Sequence, residues 1–194
     1  MGVIVVFDFV ITIENIVITG CFSEGLDLKV ASQKLVGAKY SWKRFPGLSF
    51  KLASLATFLL FRTGKFVCTG IKTEVKGKEA IAKLLALLKT EGIVSGDCVF
   101  EYGVKNLVAS VNIGGASVSL EQITNEFDVI YEPEKFPAVI HKLDDSQATF
   151  LVFLTGKLIC SGVANEEELK ETVKKFYDQL KEKNAIQQQN LTIN

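Results

Sequence analysis

Short blocks in which apolar and polar residues alternate make up most of this chain, and two longer blocks break the alternation with a helical period. In the first half the short blocks are Ile11–Gly20, Ala38–Trp42, Leu48–Ala53, Thr57–Arg62 and Lys65–Lys72. Each has the length and residue types of a strand, and Thr63-Gly64 between the last two predicts a tight hairpin turn. The spacing then changes. Ile81, Leu84, Leu85 and Leu88 fall on one stripe, which predicts a helix over Lys78–Glu91. Leu169, Val173, Phe176 and Leu180 repeat that stripe, and Asn165 with Glu168 after it has the character of an N-cap. Consecutive short strands with tight turns predict an antiparallel sheet, and both helices need an apolar sheet face to lie on. The class is α+β.

The pattern occurs twice. Asn15-Ile16-Val17 recurs as Asn106-Leu107-Val108, and Arg44-Phe45-Pro46 as Lys135-Phe136-Pro137, both at an offset of 91. Phe61-Arg62-Thr63-Gly64-Lys65 recurs as Phe153-Leu154-Thr155-Gly156-Lys157, and Cys68-Thr69-Gly70 as Cys160-Ser161-Gly162, both at 92. A period this long is a duplicated domain rather than a solenoid. Each half reads as strand, helix, four strands, helix, with the halves at 1–97 and 98–186 and a polar, frayed tail at 187–194.

Composition narrows the chemistry. The chain has 194 residues, 48% of them hydrophobic, with 14 Phe, one His and four Cys. Cys21, Cys68, Cys98 and Cys160 form no CxxC pair and no Cys/His cluster, so they read as reduced, mostly buried thiols without a zinc site or disulfide framework. His141 has no nucleophile beside it in sequence, and Gly64-Lys65 lacks the earlier glycine of a phosphate loop, so catalysis is not expected. The apolar start Val3–Val6 is interrupted by Asp8 and Glu14, is too short to span a membrane and has no basic flank. Val6 breaks any myristoylation signal at Met1-Gly2, so an intracellular protein is expected.

Strand parity sorts the side chains into two faces. Phe58, Leu60, Phe66 and Cys68 fall on one face; Leu59, Phe61, Lys65, Val67 and Thr69 fall on the other. Leu151, Phe153, Lys157, Ile159 and Ser161 repeat the second set, and Asn15 with Val17 and Asn106 with Val108 follow the same rule. If the helices cover the first set, the second is an exposed concave surface in need of a partner. The DNA minor groove suits it. Asparagine amides can donate to adenine N3 and thymine O2, while close-packed Val, Ile and Thr exclude the guanine amino group. Phenylalanines at the ends can wedge between base steps, and cations at the rim can meet phosphates.

These residues resemble the TATA-box-binding protein family, itself the type case of a sheet that binds and kinks the minor groove. The resemblance runs from about Ile13 to Leu180 and is carried by Glu14-Asn15-Ile16-Val17, Leu26-Asp27-Leu28, Arg44-Phe45-Pro46-Gly47-Leu48, Thr63-Gly64-Lys65, Cys68-Thr69-Gly70, Tyr131-Glu132-Pro133-Glu134 and Phe136-Pro137. It implies a saddle: a curved antiparallel ten-stranded sheet with helices on its convex face. It further implies Phe45, Phe61, Phe136 and Phe153 as intercalating wedges. Asn15, Val17, Leu59, Val67, Thr69, Asn106, Val108, Leu151, Ile159 and Ser161 become minor-groove contacts. Arg44, Lys51, Lys65, Lys72, Lys142 and Lys157 become phosphate contacts, and Glu132 and Glu134 a contact for transcription factor B. The implied partners are double-stranded promoter DNA, transcription factor B and the RNA polymerase pre-initiation complex. No cofactor or metal is implied, and the chain would act as a monomer on DNA, a weak homodimer of the free protein being left open. The alternative is a divergent paralogue that serves as a protein-interaction or small-ligand module.

Some positions depart from the family. Ala164 stands where the first half has Lys72, Ser161 where it has Thr69, and Trp42 and Lys135 replace commoner residues. The helix Lys78–Glu91 is only modestly basic, which favours an archaeal source and a cytoplasmic location over a nuclear one. Charge changes the picture last. Residues 1–97 hold 13 basic and 8 acidic side chains, the remainder 9 and 14, so the zero net charge is a cancellation. The first half is therefore expected to supply more of the phosphate attraction, and the second to face a basic protein.

Overall fold

The structure is a computed structural model that describes residues 3–6 and 8–187; Met1-Gly2 and the tail 188–194 lie outside the described residues. Along the chain run β1 (Val3–Val6), β2 (Phe9–Phe22), α1 (Leu28–Lys34), β3 (Lys39–Tyr40), β4 (Leu48–Leu52), β5 (Ala56–Leu60), β6 (Lys65–Ile71) and α2 (Glu74–Thr90). There follow β7 (Phe100–Asn112), β8 (Ser117–Val118), α3 (Leu120–Glu126), β9 (Ala138–Lys142), β10 (Thr149–Phe153), β11 (Lys157–Val163), α4 (Glu166–Glu182) and β12 (Ile186–Gln187). They form two compact units. One is Asn15–Lys105, the middle unit; the other, the terminal unit, joins the chain up to Glu14 with the chain from Asn106 onward. Both names refer to sequence position.

In the middle unit the strand order is β3-β4-β5-β6-β2, every pairing antiparallel. Phe58, Leu60, Phe66 and Cys68 are wholly buried on one sheet face, as alternation requires, and the α2 stripe of Ile81, Leu84, Leu85 and Leu88 is buried with them. The contact is close because Gly77 sits in α2: a Cβ there would come within 2.3 Å of Ile18 Cδ1 and 2.5 Å of Ile71 Cδ1. The helix starts at Glu74 rather than Lys78, because Thr73 Oγ1 accepts the Lys76 N–H at 3.3 Å and caps it earlier than the apolar stripe alone indicates.

In the terminal unit β7, β11, β10 and β9 pair in that order, antiparallel, and β1 forms a hairpin with β2 in the register Val3↔Thr12 to Val6↔Phe9. Val3–Val6 is thus a strand, which so short an apolar run did not reveal. The α4 residues Leu169, Val173, Phe176 and Leu180 are wholly buried, and Phe176 stacks on Phe150 at 4.3 Å and on His141 at 5.2 Å. Asn165 caps α4, its Oδ1 accepting the Glu168 N–H at 2.8 Å. The second half departs from the first at β3, whose counterpart is a single antiparallel bridge between Ile130 and Ile140, and in a small added β8/β12 sheet. Gln187, expected in a frayed tail, pairs with Ser117 in the small β8/β12 sheet.

Candidate nucleic-acid interface

In each unit the wholly buried strand residues share one sheet face, and the parity set lies on the other. In the middle unit Val17, Leu59, Phe61, Val67 and Thr69 are half-buried, each next to at least one buried residue, with Leu59 directly opposite Val67 and Thr57 opposite Thr69. In the terminal unit Val108, Leu151, Phe153, Ile159 and Ser161 are half-buried likewise, with Leu151 opposite Ile159 and Ser161 opposite both Thr149 and Val108. Apolar side chains a strand spacing apart give each face a smooth floor.

The asparagines are oriented by a feature that alternation does not disclose. The pairing of β2 with β6 slips between Ile16 and Ile18, and that of β11 with β7 between Ser161 and Val163. At each slip stands a glycine in the left-handed region, Gly70 at φ 84° and Gly162 at φ 93°. The Gly70 N–H donates to Asn15 Oδ1 at 2.8 Å, and the Gly162 N–H to Asn106 Oδ1 at 2.7 Å. With the carbonyl end of each amide engaged by backbone, the Asn106 NH₂ is left for an external acceptor, while the Asn15 NH₂ also donates to Thr69 Oγ1 at 3.1 Å and keeps one N–H for that purpose. The readable signal was the recurrence of the asparagine together with the glycine of Cys-Thr-Gly and Cys-Ser-Gly.

The phenylalanines come together as pairs. Phe45 and Phe61 meet edge to face at 5.9 Å, Phe136 and Phe153 at 6.0 Å. Phe45 is 42% exposed and Phe136 39%, an unfavourable placement for large apolar rings in a free protein. The same turn presents each: Ser41 O accepts from the Phe45 and Arg44 N–H groups, and Glu132 O from those of Phe136 and Lys135. Gly47 makes room for the first pair, since a Cβ there would lie 2.6 Å from the Phe45 ring.

Arg44, Lys51, Lys65 and Lys72 are exposed on the middle unit, Lys142 and Lys157 on the terminal unit. Lys65 borders an open depression of about 900 Å³ with Thr19, Phe61 and Val67. Lys157 borders one of about 890 Å³ with Thr12, Ser110 and Asn112. Glu132 and Glu134 are exposed, and Glu132 is ion-paired to Lys135, the residue that departs from the family pattern. Trp42 is 67% exposed, with Lys43 Nζ 5.6 Å from its ring centroid.

His141 and three of the four cysteines, Cys68, Cys98 and Cys160, are buried. His141 Nδ1 lies 3.1 Å from the Asp128 carbonyl. Burial pushes the Cys68 thiol up to about 11 and the Cys160 thiol to about 12. Among the described residues no group of His, Cys, Asp or Glu is arranged to hold a metal ion, and no helix is long and apolar enough to cross a membrane.

Comparison with known proteins agrees with this geometry. The family profile described as "Transcription factor TFIID (or TATA-binding protein, TBP)" matches residues 10–90 and 101–183, one match for each repeat. The TATA-box-binding protein of Pyrobaculum aerophilum is 40% identical over 174 residues, covering 88% of this chain and 85% of that protein. That of Methanobrevibacter smithii is 36% identical over 183 residues, covering 92% and 99%. The solved structure "Methanococcus jannaschii TBP" superposes with a TM-score of 0.81 at 34% identity, covering 89% of this chain and 98% of that one. With both repeats matched by the family profile, relatives at 36–40% identity over most of their length and a shared fold, the chain belongs to the TATA-box-binding-protein family of transcription initiation factors.

Proposed function

We propose that this chain is a general transcription initiation factor that binds the TATA box in the DNA minor groove, kinks it by phenylalanine intercalation and recruits transcription factor B and RNA polymerase. The observation that carries the reading is the repetition, in two units of different surface charge, of an exposed edge-to-face phenylalanine pair and an asparagine held by a bulge glycine. Amide NH₂ groups on an apolar floor complement the N3 and O2 acceptors of A·T pairs and oppose the guanine amino group. Rings exposed at the turn tips are placed to unstack base steps, and Arg44, Lys51, Lys65, Lys72, Lys142 and Lys157 to meet phosphates.

Glu134, and Glu132 once its pairing with Lys135 is broken, are the groups for transcription factor B. Catalysis plays no part in this reading. A mobility-shift comparison of a TATA duplex with its G·C-substituted counterpart, each with and without transcription factor B, tests it. The TATA duplex should be retained and bent, and supershifted by transcription factor B; equal retention of both duplexes overturns the reading.

A further inference from the structure

The two asparagine clusters differ, and we propose that the difference fixes which way round the chain sits on DNA, with Ser161 making the terminal unit's half of the site the one that tolerates a G·C pair. The inference rests on the minor-groove reading above. In the middle unit the amide and the neighbouring hydroxyl are locked together. Asn15 Nδ2 lies 3.1 Å from Thr69 Oγ1, which in turn lies 3.2 Å from Asn15 Oδ1, and the Gly70 N–H completes the set at 2.8 Å. In the terminal unit only the Gly162 N–H holds Asn106, at 2.7 Å, and among the described residues Ser161 Oγ makes no hydrogen bond. The surroundings are otherwise matched: Thr57 stands opposite Thr69, and Thr149 opposite Ser161.

The chemical consequence follows from the groups. With its hydroxyl donating to Asn15 Oδ1 and accepting from Asn15 Nδ2, Thr69 has no proton and a single lone pair left for a base edge, and its methyl takes up the room that the guanine amino group needs. Ser161 lacks that methyl, and its uncommitted hydroxyl both donates and accepts. It can donate to adenine N3 or thymine O2, or accept from guanine N2. A G·C pair is therefore rejected over Thr69 and accommodated over Ser161.

Trp42, the sole tryptophan and a residue of the middle unit, reports orientation without labelling the protein. The probe is a palindromic A·T duplex with one G·C pair introduced in one half, carrying an energy-transfer acceptor on the end nearer to or farther from that pair. Transfer from Trp42 should favour the far end by about tenfold in population, the order of a single unfavourable base pair. Thr69→Ser and Ser161→Thr should each bring the two ends towards equality, and the double exchange should reverse the preference. Equal transfer to both ends by the unaltered chain, or a double exchange that leaves the preference as it was, overturns the inference. Failure of the underlying reading looks different, since the chain would then bind the all-A·T duplex no better than an all-G·C one.

Discussion

The middle and terminal units carry equivalent phenylalanine pairs and bulge-held asparagines on opposite electrostatic backgrounds. Asn15–Lys105 carries 14 basic and 7 acidic residues, whereas the rest of the chain carries 8 and 15. Cutting the sequence between its repeats shows a smaller contrast, because folding assigns Asp8 and Glu14 to the terminal unit and Lys105 to the middle one. The proposed base-edge groups depend on short-range geometry, and the ring pairs at 5.9 and 6.0 Å and the amide contacts at 2.8 and 2.7 Å match between the units. Long-range charge is under no such geometric demand, so one half is free to serve phosphate and the other a protein surface.

The wedges give the largest expected effect on this contrast. Phe136→Ala with Phe153→Ala should lower TATA affinity by about 10²-fold and abolish bending in an energy-transfer assay, since unstacking sustains the bent contact. Phe45→Ala with Phe61→Ala should cost less, because the surrounding cations still hold the phosphates. Equal losses would show that the local field does not compensate. The bulge glycines come next. Gly162→Ala would put a Cβ 2.1 Å from the Gln147 carbonyl oxygen, whereas at Gly70 the nearest atom, Thr57 N, is 4.0 Å away. Both substitutions strain a left-handed residue by about 1 kcal/mol, and the clash should raise the first to about 3 kcal/mol in chemical denaturation.

Salt dependence separates the units more finely. Replacing Arg44, Lys51 and Lys65 by Gln should lower the slope of log affinity against log salt by about 2.7, and replacing Lys142 and Lys157 by about 1.8, at roughly 0.9 per phosphate contact. A middle-unit change no larger than the terminal one would remove the proposed division of labour. The smallest effect is a pH dependence set by one buried thiol in each unit. Burial raises Cys68 to about 11 and Cys160 to about 12, above the roughly 8.5 of an unfolded thiol. The protonated native thiols therefore contribute stability that is complete below about pH 8.5 and declines as pH rises towards those values. The denaturation midpoint should fall in alkali, and Cys68→Ala with Cys160→Ala should flatten that fall while lowering stability at neutral pH.

Much of this was legible because period-2 alternation decides which side chains share a face. Alternation alone sets Leu59 and Val67 on one side and Phe58 and Phe66 on the other. Matching flanks around Phe45 and Phe136, and around Phe61 and Phe153, separated the four candidate wedges from ten other phenylalanines. The hydrogen bonds that aim Asn15 and Asn106 were not legible, since each joins positions 55 or 56 residues apart. Neither was the exchange of strand segments between units: a repeat shows which residues are equivalent, not which ones touch. Val3–Val6 escaped notice for want of length, and Thr73 because a cap leaves no apolar trace.

That exchange of segments also orders events during synthesis. Asn15–Lys105 can close as soon as it has emerged, but Phe9, Ile11 and Ile13, all buried in the finished molecule, belong to a unit whose remaining chain begins only at Asn106. At ribosomal speeds of about 5 to 20 residues per second the first strand waits roughly 5 to 20 seconds for its core, and longer for Tyr177, whose ring meets Phe9 at 5.2 Å. An apolar strand left alone that long is an aggregation hazard. Among the described residues β1 is its local partner, paired from Val3↔Thr12 to Val6↔Phe9, and so covers one edge of the strand while the far end of the chain is still being translated.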